Sequence, residues 1–506
     1  MKIDGKSLTI EDVQKVAREY EKVEIDENAK KKIEASSTLV QKLVEEKQAL
    51  YGITTGIGEF SKIKISEEQS NILQKKIIYS HAAGVGNPLP EDVVRAMMLL
   101  RANTIATGYT GVRLSTLQTL VDMLNKNVIP VVYEKGSVGA SGDLSPLSQM
   151  AEVIIGEGEA IYEGKKMKGE DALKKAGIKP VKLTYKEGLG LINGSQMSTA
   201  IAALVVYDAE RVLKNVQIAS AMTIDVLKSV MKAFDERLHK VRPFSGQNIV
   251  ASNIRALVQD SEILADKTSK VQDGYSLRCT AQIIGPALDA LKYVKDQILI
   301  EMNSACDNPL FFPEYGISLT GGNFHGQPIS LAMDFLGIAL TFVAGLSERH
   351  INRLLNPTLS GLPDFLIENK GLNSGLMVAQ YTAAALVSEN KVLSHPASVD
   401  SISLSADQED YVSMAPIAAR KTREILENLI HVIAIEMLAA AQAMEFRFPK
   451  RPGKGTYIAY KKIRESVDKL TEDRPLYPDI KKIVKLIKEN IILESCEKEI
   501  GKLKTS

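Results

Sequence analysis

The chain has 506 residues, 63 Lys and Arg against 62 Asp and Glu, and 45% hydrophobic residues. Such balanced charge leaves no electrostatic footprint for a nucleic acid or a polybasic membrane surface. Three distant cysteines (Cys279, Cys306, Cys496) and six scattered histidines suggest neither a disulfide framework nor a metal site.

The opening stretch, "MKIDGKSLTIEDVQKVAREYEKV", is charged throughout and fits no secretory or transit signal, so a soluble, cytoplasmic protein is expected. Thr9 with Asp12 three residues on predicts a capping box that opens a helix. Up to about residue 195 the elements are short and rich in Gly. "YGITTGIGEF" sets Tyr51 before three glycines but lacks the Gly-Lys-Ser/Thr ending of a phosphate loop. "QKKIIYSHAAGVG" offers one histidine, His81, of a kind that is ordinarily a hydrogen-bonded structural residue. The β-branched run Val128–Tyr133 predicts a strand, and Leu147–Ile155 a buried helix or strand. Between them lies "GSVGASGDLSPLSQ" (136–149), almost all small residues, which ordinarily marks a turn. "GEGEAIYEGKKM" alternates like a hairpin, and "KEGLGLINGSQ" puts Asn193 in a turn after an apolar run.

From about residue 195 the three- and four-residue helical spacing dominates. Ile201, Leu204, Val205, Val212 and Val216 mark one long helix, Ile329 to Leu355 a second, closed by Pro357, and Ile425, Leu429, Val432, Ile433 and Leu438 a third. The longest apolar block, Phe335 to Leu346, falls short of the roughly 20 residues of a membrane span and predicts a helix buried on all sides. The Lys-rich tail after Pro452 keeps helical spacing, so its charges form a solvated face. The reading is mainly α, with a smaller mixed N-terminal part (1–195) and a long-helix bundle with a C-terminal helical tail (196–506).

Several segments carry polar residues for which a simple bundle has little use. In "QDGYSLRC", Gln272, Tyr275 and Arg278 could share one helix face at three-residue spacing, and Arg is the natural bidentate clamp for a carboxylate. "GGNFHGQP" and "QEDYVSM" add Phe324, His325, Gln327, Gln408 and Glu409. Singly, Phe324 and Met377 would be core residues and Glu409 a surface or helix-N-terminal carboxylate. Together these segments supply a clamp, a phenol, amides, a histidine and a carboxylate, but no obvious nucleophile or electrophile.

The Ala140-Ser141-Gly142-Asp143 core of "GASGDLSPLSQMAE" resembles the signature of the histidine and aromatic amino-acid ammonia-lyases. In that family Ala-Ser-Gly cyclises to a 4-methylidene-imidazol-5-one (MIO) group. The resemblance takes in, in the family's order, "YGITTGIG", "SHAAGVG", "RANTIATGYTGVR", "KEGLGLINGSQ", "QDGYSLRC", "DNPLF", "GGNFHGQP", "GLNSGLMVAQ", "PASVDSI" and "QEDYVSM". It implies an MIO-lyase fold with a long central helical bundle, no external cofactor and no metal, and a homotetramer whose active sites combine residues from three subunits. To close the ring, the Gly142 amide nitrogen must attack the Ala140 carbonyl, although its lone pair is delocalised. The loop must force the two together, and the missing Cβ at 142 permits it. Ser141 then loses its hydroxyl as water and a second dehydration completes the ring, with Asp143 matching the acid that assists.

The resemblance further makes Tyr51 the base that removes the substrate's β-proton, which requires a phenol of ordinary pKa near 10 to be partly ionised or made strongly basic. Arg278 matches the residue that pairs with the substrate carboxylate, with Asn193 nearby. Tyr275 and Gln272 match positions lining the prosthetic group and the substrate, and Phe324 packs close by. His81, Met377 and Glu409 match positions around the imidazole in the histidine enzymes. A buried carboxylate facing a phenyl ring would stay unpaired at a cost of several kcal/mol, which favours L-histidine, giving trans-urocanate and ammonia in the first step of histidine degradation. Thr54, Phe244-Ser245, Gly274, Gly326-Gln327 and Tyr411 depart from the histidine enzymes' usual "YGINTG", "RPHPGQ", "QDPYSLRC", "FHAEP" and "QEDHVSM". The alternatives are a tyrosine or phenylalanine ammonia-lyase, or a 2,3-aminomutase that re-adds ammonia at the β-carbon.

Overall fold

The computed structural model describes residues 1–266 and 270–505, so residues 267–269 and 506 of the predicted bundle lie outside the described residues. The architecture is mainly α, as expected. Two compact units divide the chain: Met1–Tyr207 with Lys295–Asp334 and Pro396–Arg420, and Asp208–Val294 with Phe335–His395 and Lys421–Ser506.

The first unit holds every strand among the described residues. Thr9 and Asp12 close the predicted capping box at the head of helix Ile10–Arg18. The predicted hairpin pairs Glu159–Tyr162 with Lys165–Lys168 through a two-residue turn, Glu163-Gly164, both at positive φ, the geometry that suits the strands' twist. Its first strand also pairs with Ile129–Pro130. The apolar run that predicts one strand is two, Ile129–Pro130 and Tyr133–Lys135, in separate sheets. Tyr133–Lys135 pairs antiparallel with Val85–Pro88. That pairing brings the C-terminal end of helix Glu67–His81 beside the entry to the small-residue stretch. The exit is helix Leu144–Ile154, which resolves the helix-or-strand ambiguity. At the centre lies helix Glu91–Ala106, buried along its whole length from Val93, charged residues included.

The second unit is entirely helical among its described residues. Four long helices, Gln196–Val226, Thr280–Met302, Gln327–Leu355 and Ala415–Glu445, each give part of their length to it, three of them at the predicted positions. Pro357 opens a new short helix after Asn356. The tail forms helices Lys454–Arg464, Tyr477–Lys488 and Ile491–Ile500, the last two broken by Asn490 at φ 58°. The apolar block Phe335–Leu346 belongs to a 29-residue helix that is long and apolar enough to cross a membrane, yet 67% of its most apolar window is buried inside the fold. Most of it is core, but Phe335, Ile338 and Phe342 are exposed, so within this chain the helix is not buried on all sides as expected.

Candidate active site

A cavity of about 620 Å³ in the first unit is lined by Tyr51, His81, Ser141, Asn193 and Glu409, together with Gly58, Phe60 and Ala406. Five predicted site residues, 358 positions apart at the extremes of the sequence (51 and 409), thus meet at one opening.

The floor is the small-residue stretch. Ser141 takes φ 50° and Gly142 φ 79°, the left-handed region that favours glycine. Gly142 forms a parallel bridge with Gly194, and the amide of Asp143 donates to the Gly194 carbonyl at 2.6 Å. A Cβ at 142 would overlap that carbonyl. Gly194 in turn has no room to retreat: a Cβ there would lie 2.6 Å from the Cys306 carbonyl and 2.8 Å from the Arg101 guanidinium. Arg101, fully buried, donates to the carbonyls of Asn193 (2.6 Å), Cys306 (3.3 Å) and Gly190, and to the Gln196 side chain (3.1 Å). Lys186, equally buried, is neutralised by Asp307 at 2.9 Å, and Arg101 lies 3.9 Å from the other oxygen of the same carboxylate. Two glycine backbones are therefore pressed together in front of a stiff, hydrogen-bonded wall.

Asp143 is 1% exposed. Its carboxyl accepts from the Ser198 amide (2.8 Å) and hydroxyl (2.9 Å). Burial pushes its pKa up to about 6, with Ser198's hydrogen bonds opposing. Glu301, whose carboxyl is also raised by burial, bonds to the Ser195 hydroxyl and adds to the rise at Asp143.

Tyr51 and Glu409 face this floor. The Gly58 amide donates to Tyr51 Oη at 2.9 Å, and the Ser141 hydroxyl lies 3.4 Å from Glu409 Oε1. Glu409 sits at the base of a tight loop, Leu404 to Glu409, closed by paired backbone bonds of 3.0 and 3.2 Å, rather than on a surface or at a helix N-terminus. Burial raises the Tyr51 pKa, the Gly58 hydrogen bond lowers it, and the Glu409 charge raises it again. Of the two states expected from the sequence, partly ionised or strongly basic, this unit alone supports the second: burial keeps the phenol protonated at neutral pH and makes it strongly basic once deprotonated. His81 Nδ1 lies 2.7 Å from the Ile77 carbonyl, which can only accept. The hydrogen therefore sits on Nδ1, and Nε2 is the acceptor of the neutral ring. The Asn193 side-chain oxygen is buried without a partner.

The other predicted residues do not line this cavity. Phe324 is half-buried in the bend before helix Gln327–Leu355. Gln272, Tyr275, Arg278 and Met377 belong to the second unit. Gln272 precedes the four-residue helix Tyr275–Arg278 instead of sharing a helix face with it, yet the three do meet: Arg278 donates to Gln272 Oε1 at 2.5 Å and stacks 4.7 Å from the Tyr275 ring centre. Tyr275 is 71% exposed, and Met377 opens helix Met377–Leu393. Among the described residues no cluster of His, Cys, Asp and Glu could hold a metal ion. Sequence reasoning missed Arg101, Gly194, Ser198 and Gly58. Only Arg101, a lone charge inside the apolar run "AMMLLRANTIA", carries a signal that could have found it.

The profile of the aromatic amino acid lyase family matches residues 8–465. The chain belongs to that family. A histidine ammonia-lyase of Alkaliphilus oremlandii is 55% identical over 499 residues, 98% of each chain. Among solved structures, a histidine ammonia-lyase from Trypanosoma cruzi matches with a TM-score of 0.92 at 38% identity, covering 99% of this chain and 95% of that one. A tyrosine aminomutase from Streptomyces globisporus matches with a TM-score of 0.95 at 37% identity over the whole of both chains.

Proposed function

We propose that this carbon–nitrogen lyase eliminates ammonia from L-histidine to give trans-urocanate. The observation that carries the reading is the convergence of Tyr51, Ser141, His81 and Glu409 on one cavity. The 140–142 segment fits a prosthetic group built from its own backbone. Its φ angles are those a contracting loop needs, Gly142 is pressed from behind by Gly194, and Asp143, with a pKa of about 6, can hold or give a proton as water leaves. The MIO group formed from Ala140, Ser141 and Gly142 would supply an electron-poor methylene that takes up the substrate's amine and makes it a better leaving group.

The remaining work falls to side chains. Tyr51, deprotonated, takes the β-proton, the Cα–N bond breaks, and the electron pair of the C–H bond becomes the new double bond. Gly58's amide holds the phenol oxygen in place and stabilises its negative form. Glu409 is a hydrogen-bond acceptor, and an imidazole ring brings an N–H donor to it. A phenyl ring brings none and would leave Glu409 unpaired. Asn193 offers its free oxygen to the ammonium group. By resemblance to the family, whose sites combine several subunits, Arg278, held by Gln272 and Tyr275, is assigned to the substrate carboxylate, and Phe324 and Met377 to the apolar surroundings of a shared site.

The active form is proposed to be a cytoplasmic homotetramer with sites shared between subunits. Support comes from helix Gln327–Leu355, where Leu331, Phe335, Ile338 and Phe342 are 52%, 44%, 42% and 39% exposed. Their four-three-four spacing makes one continuous apolar seam. The test is separate incubation with histidine, tyrosine and phenylalanine, identifying α,β-unsaturated acids and β-amino acids. Urocanate from histidine is the expected product; cinnamate, coumarate or a β-amino acid as the main product overturns the reading.

A further inference from the structure

Gly274 is a departure from the family pattern that catalysis leaves unexplained, and in the second unit it stands at a junction. Its backbone is extended (φ −64°, ψ 159°), a conformation open to any residue, so flexibility is not why glycine is there. A Cβ would overlap the guanidinium of Arg353, which occupies that space. Arg353 Nε donates to the Ser276 hydroxyl at 3.0 Å. One turn earlier on the same helix, His350 Nε2 lies 2.7 Å from the Ser276 carbonyl. His350 is fully buried, and its Nδ1 lies 2.7 Å from Glu436 Oε1. Glu436, also fully buried, accepts further from the Thr223 hydroxyl (2.8 Å) and the Ser347 hydroxyl (2.5 Å).

A carbonyl can only accept, so the Ser276 contact places a hydrogen on His350 Nε2, while Nδ1 and the Glu436 carboxyl share a hydrogen between them. The imidazole is thereby locked between a carboxyl bonded on both oxygens and one peptide group. Both side chains that helix Gln327–Leu355 sends to the Gln272–Arg278 segment end on the same residue, Ser276, one on its carbonyl and one on its hydroxyl. Ser276 lies within the four-residue helix that carries Arg278.

We propose that His350 and Arg353 are positioning residues for the substrate-carboxylate clamp, fixing Arg278 and Tyr275 through Ser276, with Gly274 kept small to admit Arg353. The inference rests on the proposed role of Arg278. A guanidinium binds a carboxylate well only when its fork is held in plane. The Glu436–His350–Ser276 chain gives a short helix the rigidity that its own length cannot supply.

The experiment compares two inhibitors of equal size in the purified full-length enzyme: 3-(imidazol-4-yl)propanoate and its alcohol, 3-(imidazol-4-yl)propan-1-ol. They share ring and chain and differ only in the carboxylate. The wild type should prefer the carboxylate. His350→Gln, which removes the rigid ring that bridges Glu436 and the Ser276 carbonyl, and Arg353→Gln should each lower that preference by about tenfold or more, the size of a displaced hydrogen bond to a charged group. KM for histidine should rise more than kcat falls, and the near-UV absorbance of the prosthetic group should be unchanged. Gly274→Ala, which displaces Arg353 without touching the buried pair, should do the same and stands in if His350→Gln does not fold. Unchanged preference in folded variants, or equal weakening of both inhibitors, overturns the proposal. Arg278→Met reads the underlying assignment separately: if it too leaves the preference intact, the clamp reading fails and takes this inference with it.

Discussion

Adding one methyl group at Gly142 tests whether the ring closes by compression. Gly142 has φ 79°, which costs an L-residue about 1–2 kcal/mol. The new Cβ would overlap the Gly194 carbonyl and lie 2.9 Å from its Cα. Gly194 cannot yield freely, because Arg101 and the Cys306 carbonyl stand behind it. Overpacking against such a wall costs about 1–3 kcal/mol. Together these terms disfavour the compressed loop by about 2–5 kcal/mol, so closure should slow by a factor of about 30 to several thousand. Intact-mass measurement on purified Gly142→Ala should show the chain retaining the two waters that the wild type loses, with no near-UV band and no turnover. Gly177→Ala is the control: φ is 65°, but a Cβ there meets nothing within 4 Å, so it carries only the conformational cost and should mature normally. A Gly142→Ala protein with full water loss and wild-type absorbance would refute the compression argument.

Tyr51→Phe should keep the prosthetic-group absorbance and lose turnover by at least about a hundredfold, the low end for removing a general base; stopped assays at matched absorbance check it. Glu409→Gln should impair histidine turnover far more than water loss at 140–142. Because the Glu409 charge raises the Tyr51 pKa, its removal should also move the rise of kcat with pH to lower pH. Arg101→Gln removes the donors to the Asn193 and Gly190 carbonyls and should leave a folded fraction with incomplete water loss by mass, with Arg101→Lys intermediate. For Asp143, the folded pKa of about 6 lies above the ordinary carboxyl value of 3.8, so between those values the native state binds more protons than the unfolded one. Stability must therefore fall as pH rises across that window and stay lowered above it. In a Ser141→Ala background, where no ring forms, thermal unfolding of Asp143→Asn should lack that fall, and a parallel pH dependence in both proteins would remove Asp143 as its source.

What the sequence makes legible follows from how local each signal is. The Thr9–Asp12 box and the 159–168 hairpin are set by residues a few positions apart, and both form where spacing places them. The long helices follow the same logic because one period runs through many residues. The Val128–Tyr133 run splits between two sheets because its partners, Ala160 for Pro130 and Pro88 for Tyr133, lie outside any local window. The cavity residues were legible through resemblance of motifs, while the groups behind them were not. Arg101 meets Asn193 and Cys306 across 92 and 205 positions, and no periodicity encodes such pairings. Tyr51 illustrates the converse, since the residue is legible in its motif, while burial, which no motif encodes, decides which of its two expected states holds.

The wall behind Gly194 also explains why a core would accept Arg101, Lys186, Asp307 and Glu301, each costly to desolvate. Apolar packing is dense but has no preferred direction, and it resists a shift of one backbone segment only weakly. Hydrogen bonds from one guanidinium to the Gly190 and Asn193 carbonyls, with a third to the Cys306 carbonyl, fix the 190–194 segment along more than one direction and tie it to a distant part of the chain. A loop that must squeeze its own amide nitrogen onto a carbonyl needs a backing of that kind, since any give at Gly194 would relax the approach before the bond could form. Gly142 and Gly194 allow the two backbones to meet, and the buried charges keep them there. On this account the polar core belongs to making the catalyst rather than to using it. Variants of Arg101 should therefore vary in the fraction of chains that lose water, while the chains that have matured turn over at close to the wild-type rate.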